Sequence, residues 1–139
     1  MSCVFCDIVN RKVDSYVVYE EAATVAFLDH RPLLPGHVLV VPRKHYETLG
    51  DVLSDDIGPF FQAVQRLAVA VERAFQADGA FVAANIRVSQ SVPHLHVHVV
   101  PRRKGDGLFS RNFVWMRRPY PNEQAIVDAQ QAIRAALRE

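Results

Sequence analysis

His94-Leu95-His96-Val97-His98-Val99-Val100 sets three of the chain's six histidines at alternate positions of an otherwise apolar run. Such alternation, rich in β-branched residues, predicts a strand over 94–100, and successive strand side chains point to opposite faces. The three imidazoles therefore share one face, and Leu95, Val97 and Val99 share the other, against the core. Ordinary core packing does not account for the row, because three adjacent rings need partners for six nitrogens. A solvated face does not account for it either, since Lys, Glu or Thr would serve there. Two chemistries remain. Alternate histidines can share a metal ion, or one imidazole can act as a nucleophile while its neighbours fix its tautomer and donate to a substrate. The row alone leaves both open.

Working outward, residues 80–88 read as another strand, joined to the first by a polar turn. Residues 56–77 form the clearest helix, with Ile57, Phe60, Phe61, Val64, Leu67, Ala68, Val71 and Phe75 in one stripe. Pro59 fits only near a first turn, which points to Asp56 as the N-cap, and Gly79 marks the end. His37 to Pro42 is a continuous apolar run, the pattern of a central strand. Residues 16–20 and 24–29 read as adjacent strands about the turn Glu21-Ala22-Ala23, and 31–36 as a loop by its prolines and glycine. A short amphipathic helix is expected over 4–11, and a last one from Asn122 carrying Ile126, Ile133 and Leu137. The expected class is α+β: about five strands, mainly antiparallel because the connections are short, with two main helices on one face.

The chain has 139 residues, 50% of them hydrophobic and 22% charged, which suits one domain with a real core. A net charge of +1 gives no sequence-wide footprint for nucleic acid. Arg102-Arg103-Lys104 and Arg117-Arg118 read as solvated loop faces, the first also open to phosphate because it follows the histidine strand. No apolar stretch is long enough for a membrane helix and the N-terminus lacks a secretory pattern, so a cytoplasmic protein is expected. Both cysteines lie in one Cys3-x-x-Cys6, which in a reducing compartment suggests metal binding or redox chemistry rather than a disulfide.

His-x-His-x-His followed by two apolar residues resembles the signature of the histidine triad (HIT) superfamily. Phe27-Leu28-Asp29-His30-Arg31-Pro32-Leu33-Leu34-Pro35-Gly36-His37-Val38-Leu39-Val40-Val41-Pro42-Arg43-Lys44-His45 resembles another block of that family. Ser89-Gln90-Ser91-Val92-Pro93 is similar to its Gly-Gln-Ser-Val lead-in. The resemblance spans about residues 3–104 and leaves 105–139 as the variable part of a single domain. It implies a HIT-like fold and a nucleotide hydrolase or transferase, Hint-like or Fhit-like. In that pattern His96 attacks the α-phosphate of a purine nucleotide derivative, giving a nucleotidyl-histidine intermediate. His98 donates to a non-bridging oxygen, and His37 on the neighbouring strand orients the triad. Asp29 takes the ribose hydroxyls, and Phe5, Ile8 and Phe27 wall the base; for these three, core packing is the competing reading. Gln90, Ser91 and Asn85 face the phosphate, the ribose or the leaving group.

The resemblance also implies that Cys3, Cys6, His45 and His94 form a structural zinc site, a Cys₂His₂ set suited to tetrahedral zinc. No catalytic metal is expected. The family's usual homodimer is expected too, with an edge strand and Trp115 available and the tail 109–120 able to reach a partner's site. Ala83-Ala84-Asn85-Ile86-Arg87-Val88-Ser89-Gln90 departs from the pattern: both expected glycines are absent and the loop is about two residues short. The substrates left in competition are nucleoside phosphoramidates or esters and dinucleoside polyphosphates, the latter cleaved by hydrolysis or phosphorolysis. A non-catalytic nucleotide-sensing module is the reading from another class.

Overall fold

The computed structural model describes residues 2–111 and 115–139. Five strands form one sheet in the order β1-β2-β3-β5-β4, every neighbouring pair antiparallel. They are β1 Val17–Glu20, β2 Thr24–Leu28, β3 Val38–Pro42, β4 Gly79–Ala83 and β5 Val97–Arg102. The helices are α1 Val4–Val9, α2 Ser54–Phe75 and α3 Glu123–Leu137. The α+β architecture is therefore as the sequence predicts.

Every residue of β2 and β3 is buried, because both faces of the central strands are covered. On one face Ala26, Leu28, Val38, Val40, Val97 and Val99 meet Phe60, Val64, Leu67 and Val71 of α2 and Ala129, Ile133 and Ala136 of α3. On the other, Val25, Phe27, Leu39 and Val41 meet Phe5 and Val9 of α1. The alternation along residues 95–99, which lead into and open β5, thus sends Leu95, Val97 and Val99 towards the two long helices and His96 and His98 to the face α1 shares.

Several boundaries differ from the sequence prediction. β5 begins at Val97 rather than His94. Continuing the β3–β5 register would set Leu95 opposite Pro42, which has no N–H to give, and the Pro42 carbonyl is taken by the His94 side chain instead. α2 begins two residues before Asp56, with Leu53 as N-cap and Pro59 inside the helix. The Asp56 carboxylate is occupied by Tyr46 and Lys44, so it does not cap. The helix stops at Phe75 through Gln76 in the left-handed region (φ 49°), whose N–H and that of Ala77 close on Arg73 and Glu72. Gly79 instead opens β4, which ends at Ala83, not Val88. Within the α2 stripe, Phe61 is exposed and Ala63 and Ala70 are buried in its place. Asn122 does cap α3, its side chain accepting from Ala125 N–H at 2.9 Å.

Candidate active site and metal centre

The strand pairing brings His37, at the foot of β3, beside the histidines of β5. Gly36 sets its approach: its φ is +92°, and a β-carbon there would run into the Phe75 ring. Leu33 N–H donates to His37 Nδ1 at 3.0 Å. A backbone N–H only donates, so the proton of neutral His37 sits on Nε2. That nitrogen lies 2.9 Å from His98 Nδ1, and the bond has one polarity: His37 donates and His98 accepts. The proton of His98 is then on Nε2, directed away from the pair. His96 Nδ1 is 2.8 Å from the His94 carbonyl, which can only accept. Its proton is therefore on Nδ1, and its Nε2 carries a free lone pair.

Burial keeps these rings neutral. It pushes His37 down to about 4, with the Asp29 carboxylate opposing and Arg117 and His96 assisting. It pushes His98 down to about 3, helped by His37 and His96, and lowers His96 as well. A neutral imidazole with one exposed lone pair, beside a second with one free N–H, can form a bond to an electrophilic phosphorus and stabilise an oxygen on it.

Around this pair, Phe5 stands edge-on to His96 at 5.0 Å and to Phe27 at 5.4 Å. Ile8 packs, half-buried, against the same cluster. Asp29, at the end of β2, is buried and its Oδ2 lies 3.9 Å from His37 Nδ1. Asn85 is half-buried and Ser91 exposed on the loop between β4 and β5. The Gln90 amide ties that loop to the segment after β3, accepting from Arg87 N–H and donating to the Glu47 carbonyl. Arg87 and Ser89 carry the positive φ values, 65° and 61°, that the missing glycines would take without strain. A cavity of 110 Å³ bordered by Pro42, Tyr46, Val52 and Phe60 lies elsewhere and is too small for a nucleoside.

At the other end of the row, Cys3, Cys6, His45 and His94 bring one ligand atom each within 4.8 Å of one another. Cys3 caps α1 and its sulfur accepts from Cys6 N–H, so the first turn of the helix presents both sulfurs. His94 gives its Nε2–H to Pro42 O at 2.8 Å, which leaves the Nδ1 lone pair aimed between Cys3 Sγ and Cys6 Sγ, 3.5 Å from each. His45 Nδ1 is 3.2 Å from Cys6 Sγ. Tetrahedral zinc with bonds of about 2.0–2.3 Å sets ligand atoms roughly 3.3–3.8 Å apart; the two His94–sulfur separations of 3.5 Å match this, while the widest pair, within 4.8 Å, would draw in around the ion, and the Pro42 carbonyl orients the His94 ring. Without a cation, burial and the neighbouring Cys3 push the Cys6 thiol up to about 11.

Two residues at the site, Arg117 and Trp115, were named in the sequence but not as site residues. Arg117 bonds Asp29 and Arg31 O, and Trp115 stands edge-on to His98 at 5.1 Å. Arg117 is thus no solvated loop residue, and these contacts lie within one chain. Residues 112–114 of the 109–120 tail lie outside the described residues. The only sequence signal was the density of aromatics and arginines in that tail. The Arg102 run is likewise committed locally, Arg102 to Asp106 and Arg103 to the Phe75 carbonyl.

Comparison with known proteins places this sheet and its buried histidines in a family of nucleotide-binding proteins and hydrolases. The HIT domain model matches residues 10–105, and the chain belongs to that family. It is 42% identical over 114 residues to an uncharacterized HIT-like protein of Saccharolobus solfataricus, covering 81% of this chain and 82% of the other. It is 35% identical over 102 residues to the asymmetrical bis(5′-nucleosyl)-tetraphosphatase of Schizosaccharomyces pombe, covering 72% of this chain and 55% of that enzyme. Its fold is similar to that of a zinc-bound histidine triad family protein from Mycobacterium smegmatis: TM-score 0.85, 35% identity, 99% of this chain and 94% of the other. No helix among the described residues is long and apolar enough to cross a membrane.

Proposed function

We propose that this protein hydrolyses, or transfers from, the α-phosphorus of a purine nucleoside 5′-phosphate derivative through a nucleotidyl-His96 intermediate. The observation that supports it most is the run of hydrogen bonds from Leu33 through His37 to His98, with His96 Nδ1 on the His94 carbonyl. In the first step the Nε2 lone pair of His96 forms a bond to phosphorus, and the bond to the leaving group breaks with its electron pair. His98 Nε2–H donates to a non-bridging oxygen as charge builds. Water then attacks phosphorus, gives up to solvent the proton that replaces the one the departing group took, returns the lone pair to Nε2 and releases the monophosphate. His37 holds the His98 tautomer, Asp29 accepts the ribose hydroxyls, and Phe5, Ile8 and Phe27 flank the base. Asn85, Gln90 and Ser91 line the leaving-group side, where Gln90 acts by shaping the loop.

Cys3, Cys6, His45 and His94 would hold a structural zinc. It ties α1, and with it Phe5, to the strand end that carries His96. The chemistry it supplies is cross-linking, not activation of water.

A phosphoramidate or ester is favoured over a dinucleoside polyphosphate because the Arg102-Arg103 side chains are spent on Asp106 and on the Phe75 carbonyl. The tetraphosphatase relative supports the other substrate. Steady-state comparison of adenosine 5′-phosphoramidate with diadenosine tetraphosphate, with and without inorganic phosphate, decides between them. The phosphoramidate should have the higher kcat/KM, and the reverse order would reassign the leaving group.

A homodimer through β4 fits this fold. The outer edge of β4 is unpaired among the described residues and Val82 on it is exposed, whereas Gln130 of α3 donates to Val17 O on the opposite edge strand.

A further inference from the structure

Residues 115–120 fold back on the loop 29–36 that leads into His37. Arg118 N–H donates to Pro32 O at 2.7 Å, Gly36 N–H donates to the Tyr120 hydroxyl at 2.9 Å, and Arg117 Nη1 reaches both Asp29 Oδ2 and Arg31 O. The Asp29 side chain is only 10% exposed, and Arg117 is its cation. Its other oxygen, Oδ1, accepts from Arg31 N–H at 2.9 Å.

A carboxylate at that depth is costly unless paired. With Oδ1 on a backbone N–H and Oδ2 on a guanidinium, the plane of the carboxylate is fixed. Each oxygen still has a lone-pair site to offer. Two charged acceptors on one rigid plane match two adjacent hydroxyls.

We propose that Arg117 is a positioning and specificity-determining residue, which holds the Asp29 carboxylate oriented for the 2′- and 3′-hydroxyls and so makes the protein select ribonucleotides. This rests on the reading of Asp29 as the ribose acceptor. Arg117 acts through Asp29 and need not touch the nucleotide itself.

The test is calorimetric titration of the full chain with AMP and with 2′,3′-dideoxy-AMP, for wild type, Arg117→Gln, Arg117→Lys and Asp29→Asn. Hydrogen bonds to a charged acceptor predict that wild type binds the dideoxy nucleotide on the order of tenfold or more weakly. In Arg117→Gln that ratio falls towards one, as in Asp29→Asn. Arg117→Lys, which keeps the charge but not the fork, lies between them. A reduced folded fraction alters the stoichiometry and not the ratio, and if Gln fails to fold, the Lys variant carries the test. A wild-type ratio in either folded Arg117 variant, with the ratio lost in Asp29→Asn, overturns the role of Arg117 and leaves that of Asp29 standing. Tighter AMP binding by Arg117→Gln also overturns it, since Arg117 would then compete with the ribose. Equal binding of both nucleotides by wild type, or binding of neither, removes the ribose reading and the proposal together.

Discussion

At the His94 end of the histidine row one ring nitrogen faces two sulfurs, whereas at the His98 end the corresponding nitrogen faces another imidazole. Both rings are buried, and both are pushed down by that burial, to about 4 and about 3. They differ in what finishes the arrangement. The His37–His98 pair is complete within the protein, because a backbone N–H dictates each proton in turn. The His94 cluster instead brings two thiols and two imidazoles together as a donor set that could hold a metal ion. One end is closed by backbone hydrogen bonds and the other gathers metal-ligating side chains. The His94 carbonyl, bonded to His96, joins the two.

The sharpest way to break this division is at its centre. His96→Ala should lower turnover by about 10⁴-fold, equivalent to about 5 kcal/mol of barrier. It should also abolish any nucleotidyl adduct seen by mass spectrometry of quenched enzyme, while bound zinc stays at wild-type level. A variant that still forms the adduct would place the nucleophile elsewhere.

The metal end should break differently. Replacing Cys3 and Cys6 together by Ala should remove zinc and lower stability by about 3–4 kcal/mol, the effect of losing a ligand held well above its Kd. Chemistry should persist at a reduced rate in the folded fraction. Metal analysis with thermal melts and turnover checks this, and a double variant as stable as wild type would remove the structural role of the cluster.

Acid separates the ends less strongly. His37 and His98 are neutral in the fold and have an ordinary value of 6.5, so between pH 6.5 and about 4 the unfolded chain binds more protons than the folded one. Stability is therefore fully present above 6.5 and declines as pH falls through that window, by at most about 1.4 kcal/mol per pH unit for each group. Replacing His37 by Leu should flatten the decline in denaturant melts. An equally steep decline would assign it to other groups.

The smallest effect belongs to the loop between β4 and β5. Ser89 occupies the left-handed region at φ 61°, and Ser89→Gly should raise stability by about 0.5–1 kcal/mol, as relief of strain outweighs glycine's added chain entropy. Chemical denaturation measures it, and a loss would mean that the Ser89 side chain contributes more than its backbone costs.

Local pattern was enough for the strands, since period two is written into each apolar run. The alternation of Leu95, Val97 and Val99 with three histidines predicted which face meets α2 and α3. It missed where β5 starts, because that depends on Pro42 across the sheet, and where α2 starts, because Asp56 had been claimed by Tyr46 and Lys44. It missed the end of α2 because Gln76 adopts a conformation usually left to glycine.

The sequence by itself determined that three imidazoles share a face, that Cys3 and Cys6 sit one helical turn apart, and that His37 precedes a central strand. Only the tertiary structure decided which nitrogen carries each proton, since that follows from the Leu33 N–H and from the His94 and Pro42 carbonyls, set by loops and register. It alone brought Arg117 back over 88 residues of chain to Asp29. A contact of that range has no period, and it forms because a buried carboxylate needs a cation wherever the chain can supply one.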